Sequence, residues 1–112
     1  MASAEREIEP RAFRYAVDEF YKDAVEIFAY FDMVLEHFRE GKDIQEDLRK
    51  FRSERPSMFS LIYDIFHKQA EVDDKIKKIN LEKEKIEKLN EFKERFKELA
   101  DEIDIFVLSE IL

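Results

Sequence analysis

Phe13, Val17, Phe20, Ala24, Ile27, Phe31, Val34 and Phe38 recur at alternating spacings of four and three, the period of a helix that buries one stripe. Pro10, with its fixed φ and missing N–H, suits the first turn of such a helix, and Gly41 suits the left-handed residue just past its end. The pattern predicts a helix over 10–40. Tyr21, Phe28 and Leu35 form a second stripe, and Ala16 and Tyr30 widen the other flank. The apolar arc is too broad for a two-stranded coiled coil, so this helix needs at least two neighbours.

Asp43 followed three residues later by Glu46 is a capping-box variant and opens a short helix over 43–54. Ile44, Leu48 and Phe51 give it one narrow apolar edge, and Pro56 ends it by steering the preceding residue away from α geometry. Ser53 or Ser57 is expected to cap a third helix. Its seam runs through Met58, Ile62, Ile65, Val72, Ile76 and Ile79, with polar Gln69 at one seam position.

Beyond Asn80 the apolar series restarts as Leu89, Phe92, Phe96, Leu99, Ile103 and Phe106, out of phase with the seam before it. Such a shift arises from a stammer in one continuous helix or from a turn between two helices. Asn80 tolerates the left-handed conformation, and Leu81 would then meet Ile76 as in a Schellman ending. Against a turn, no Ser, Thr or Asp stands ready to cap a helix beginning near Glu82, and "EKEKIEK" is strongly helix-forming. Length favours the turn. An unbroken helix over 57–112 would be roughly 84 Å long at about 1.5 Å per residue, nearly twice the roughly 45 Å of the first helix, and half its seam would need a partner chain.

These elements predict an all-α antiparallel bundle of three long helices, 10–40, 57–79 and 81–111. The short helix at 43–54 lies over one end, a disordered tail covers 1–9, and residues 10–112 form one domain. Aromatic side chains of the first helix would fill its centre, and leftover apolar surface predicts a homodimer.

Composition sharpens this picture. With one Gly, two Pro and no Cys in 112 residues, the chain lacks the turn residues of a β-rich fold and any thiol chemistry. No secretory signal and no uncharged run long enough to cross a bilayer is visible, so a soluble, cytoplasmic protein is expected. Thr and Trp are absent while Glu, Lys and Ile abound, the habit of proteins kept at high temperature, which suggests a thermophilic source.

The net charge of −8 opposes general affinity for nucleic acid or anionic membranes. Residues 49–55, "RKFRSER", are the one basic segment. Arg49, Lys50, Arg52 and Arg55 beside Phe51 could contact a polyanion, and a nucleic-acid-associated regulator is the alternative function they suggest. Pairing with acidic groups of the first helix is the simpler account.

Asp64, His67 and Glu71 share a face with the spacing of a carboxylate and imidazole metal site, but that face lies opposite the Ile62, Ile65 and Val72 seam and reads as solvated. A small carboxylate metal-binding bundle is the third alternative. The acidic row Glu19, Asp23 and Glu26 reads the same way. No phosphate loop, nucleophile turn or set of spaced His ligands points to an enzyme or a cofactor.

The last stretch, "ELADEIDIFVLSEIL", is apolar around too much of its circumference for one core face, and its acids oppose the helix dipole. It is either a helix buried between two neighbours or a docking segment for a partner. Ile105, Phe106, Leu108, Ile111 and Leu112 are its candidate contacts. The function expected is a non-enzymatic adaptor, assembly or accessory subunit acting through protein contacts.

Overall fold

A computed structural model describes residues 9–111. The predicted tail at 1–9 therefore lies outside the described residues except for Glu9, as does Leu112. Among the described residues the protein is all-α, with seven α-helices: α1 Pro10–Lys22, α2 Ala24–Arg39, α3 Gln45–Glu54, α4 Pro56–His67, α5 Gln69–Lys78, α6 Lys83–Arg95 and α7 Ala100–Ile111. A 3-10 turn, Lys97–Leu99, joins the last two.

Each of the three long helices that the periodicity predicts is broken once. Asp23 (φ −104°, ψ 19°) separates α1 from α2, Lys68 (φ −130°, ψ 46°) separates α4 from α5, and Phe96 (φ −113°, ψ 21°) precedes the 3-10 turn. The result is a flattened body of 40 × 39 × 22 Å rather than a bundle of rods. Its radius of gyration, 14.0 Å, is close to the roughly 13 Å of a compact domain of this length.

At Asn80 the chain reverses. Asn80 has φ +53°, its N–H donates to the Lys77 carbonyl at 3.3 Å, and the Leu81 N–H donates to the Ile76 carbonyl at 3.3 Å. Those two bonds define a Schellman ending. Gly41 (φ +78°) closes α2 in the same way, with the Lys42 N–H on the His37 carbonyl at 2.9 Å.

The helix starts are less regular. The Glu9 carboxylate accepts from the Arg11 and Ala12 N–H groups at the start of α1. Asp43 Oδ1 accepts from the Gln45 N–H at 3.0 Å just before α3. No serine caps α4. Arg55 is its N-cap residue and Pro56 its first residue, so the proline that ends α3 also begins α4.

The hub is α4, which packs against α1, α3, α5, α6 and α7. Met58, Phe59, Leu61, Ile62, Asp64 and Ile65 are all buried on it. Beside it lies an aromatic cluster in which Phe20, Phe28 and Phe31 surround Phe92 and Phe96. Phe92 meets Phe20, Phe28 and Phe31 edge-on at centroid distances of 5.6, 5.3 and 5.3 Å, the arrangement that ring quadrupoles favour. Every member of the apolar series from Leu89 to Phe106 is buried.

Candidate functional site

The basic segment sits on α3 and the link to α4, where its guanidinium groups meet acidic side chains of other helices. Arg55 donates to Asp23 Oδ2 and to Glu26 Oε2, both at 3.1 Å, and so binds the break residue and the first turn of α2. Burial alone would lower its pKa, but the two carboxylates raise it. Arg49 pairs with Glu110 on α7 at 3.1 Å and with Glu46 at 3.6 Å. Arg49 and Arg52 both lie over the Phe106 ring, 5.9 and 5.8 Å from its centroid. Lys50 is exposed. Arg49, Arg52 and Arg55 are thus drawn onto this chain's own acids and aromatics.

Of the acidic row, Asp23 and Glu26 are the partners of Arg55. Glu19 lines a shallow groove with Tyr15, Glu26, Glu54 and Arg55. Among the described residues no group of three or more His, Asp and Glu side chains is placed to hold a metal ion.

Asp64 and His67 do not form a solvated face. Asp64 is 3% exposed because α4 is covered on several sides, so its burial is not confined to one seam. The His67 ring lies 4.7 Å from the Tyr63 ring, and its Nε2 is 3.0 Å from the Ala100 carbonyl. In the tautomer with a proton on Nε2, that contact is a hydrogen bond from the end of α4 to the start of α7. Glu71 is half-buried on α5, past the Lys68 break.

On α7 the candidate contact residues divide. Phe106 is fully buried, 5.8 Å from the Phe59 ring, and presents no surface to a partner. Ile105 and Leu108 are 52% and 49% exposed, three residues apart on the outer side. The Ile111 and Leu112 side chains lie outside the description. Two of the five acids of this stretch find basic partners across the chain: Glu98 accepts from Arg39 and Glu110 from Arg49. Tyr63 has a raised pKa, through burial first and Asp104 second.

A second exposed apolar face was not anticipated from the sequence. Val25, 87% exposed, Ala29 and Met33 follow one another at four-residue spacing on the outside of α2. The signal for them was present, since all three fall off both apolar stripes of the first helix. A further groove of about 200 Å³ runs between α5 and α6, floored by Ile65, Val72, Ile76, Ile86 and Leu89. Gln69 borders it with its Oε1 buried and without a hydrogen-bond partner among the described residues.

No family model, curated protein or solved structure matches this chain. Among the described residues no helix is long and apolar enough to cross a membrane.

Proposed function

We propose that this protein is a non-enzymatic helical interaction module, an adaptor, assembly or accessory subunit that acts through protein–protein contacts. The observation that carries this reading is the two-sided character of α7. Ile103 and Phe106 are buried in the core while Ile105 and Leu108 stand half exposed on the opposite side. A helix whose inner face is already satisfied does not need apolar residues outside, and such a face is the usual contact in helix-in-groove recognition.

The basic segment supports this reading over a polyanion site, because Arg49 and Arg55 bond to carboxylates of the same chain. The test is site-specific photo-crosslinking in extract of the source cells, with benzoylphenylalanine at position 108 and, as control, at the exposed Glu87 of α6. A discrete cross-linked polypeptide at 108, absent at 87 and lost when Ile105→Lys is added, supports the reading. Equal yields at the two positions, or none at 108, would overturn it.

A further inference from the structure

Between α1 and α4 runs a groove of about 260 Å³, lined by Phe13 and Ala16 on one side, by Ser60, Leu61 and Asp64 on the other, and by Glu9. The two helices are antiparallel. Arg55, just before α4, bonds to Asp23 at the end of α1, while Glu9 at the start of α1 lies in the field of Lys75, beyond the end of α4. The eight residues that precede Glu9 therefore meet the described fold at this groove, beside the last turns of α4.

Asp64 is 3% exposed and is engaged by a partner. So are Ser60, one turn before it, and Lys68, one turn after it. A carboxylate held that far from water needs a cation or several donors. Three cations of the flanking helices are occupied elsewhere: Arg14 donates to the Ile79 carbonyl at 2.6 Å and lies 3.9 Å from Glu82, and Arg11 and Lys75 lie in the field of Glu9.

The sequence just before Glu9 supplies a complement to this face. Glu9 is the N-cap of α1, which puts Ile8 at N′ and Phe13 at N4, the two positions of a hydrophobic staple that fixes the angle at which a chain enters its helix. Arg6 stands three residues before Glu9, so its Cα lies within about 10 Å of the groove wall even on an extended path. The order of charges also matches. Moving away from the groove, α4 presents Asp64 and then Lys68, and the preceding segment presents Arg6 and then Glu5.

We infer that the α1–α4 groove is a docking site for this chain's own residues 5–8, which the sequence reads as part of a disordered tail. Ile8 staples onto Phe13, Arg6 pairs with Asp64, and Glu5 lies toward Lys68. The segment is a strap across the start of α1 and the end of α4. Asp64, which the sequence presents beside His67 as half of a metal-ligand pair, is its anchor instead. The outer face of α7 plays no part in this contact, so the strap and the partner-binding reading stand or fall separately.

The chain has no Cys, so a nitroxide on Ala4→Cys labels one site of the full chain. Its relaxation enhancement should concentrate on the amides of residues 64–71 and spare α3, which adjoins the opposite end of α4. Arg6→Glu sets two carboxylates against each other and should shift the strap at least about tenfold toward release, because one partner of a buried pair is lost. Glu5→Lys should weaken docking less, and adding Lys68→Glu should restore it. Arg6 and Glu5 precede α1, so neither substitution removes a core side chain. Enhancement that is weak everywhere, that falls equally on α3 and α4, that survives Arg6→Glu, or that the E5K/K68E pair fails to recover would overturn the strap.

Discussion

Phe92 is completely buried, with five phenylalanine rings, Phe20, Phe28, Phe31, Phe66 and Phe96, at centroid distances from 4.7 to 6.3 Å. Rigid rings packed around a sixth cannot close over the space it leaves. Phe92→Ala is expected to cost about 3–5 kcal/mol, read as a drop in the urea midpoint at unchanged slope. Asn80 is a backbone case instead. Its φ of +53° clashes with a branched Cβ, so Asn80→Val should lose about 1–2 kcal/mol while Asn80→Gly stays near the wild type. Both residues were legible in the sequence: Phe92 through its seam position, Asn80 through the phase shift around it. Asp64 was not, because α4 is covered on several sides and periodicity reports only one buried stripe.

Among the helices, α5 is the least anchored. It buries only Val72, has a non-helical residue before it and a reversing turn after it, and faces α6 across an open groove. Its backbone amides should exchange with solvent faster than those of α4, which buries six side chains. Gln69 adds to this weakness, because its Oε1 is buried with no donor among the described residues. Gln69→Leu is expected to stabilise the protein by about 1–3 kcal/mol, since it removes an unsatisfied acceptor at an apolar seam, and a rise in melting temperature would show it. A fall would mean that the amide has a partner or a use.

The breaks at Asp23, Lys68 and Phe96 were invisible in the sequence. Asp23 and Phe96 lie in uninterrupted apolar spacing, and only Lys68 stands beside a polar seam position, Gln69. What marks Asp23 is Arg55, 32 residues away, bonded to it and to Glu26 in the first turn of α2.

At the scale of the molecule, exposed ion pairs tie distant helices together. Glu9, Glu40, Glu82 and Glu98 are each held below the ordinary carboxylate value of 4.5. The causes are backbone N–H groups first at Glu9 and Glu82, Lys42 at Glu40 and Arg39 at Glu98. A group with a depressed folded pKa contributes stability that is present above its unfolded value and lost as pH falls through its folded value. The urea midpoint should therefore be flat from about pH 7 to 5 and decline below about 4.5, shallowly because all four groups are solvent-exposed.

The sequence by itself determined the all-α class, the turns at Gly41 and Asn80, and most of the core. Those depend on period, local backbone preference and the cost of leaving apolar side chains in water, which act over one or two helical turns. Only the tertiary structure decided where the long helices break, that Phe106 lies inward while Ile105 and Leu108 do not, and that the basic segment is held by acids of the same chain. These outcomes depend on which distant groups meet. A break at Asp23 follows from Arg55 and a buried Asp64 from the crowding of α4, and no local pattern carries the position of a partner thirty residues away.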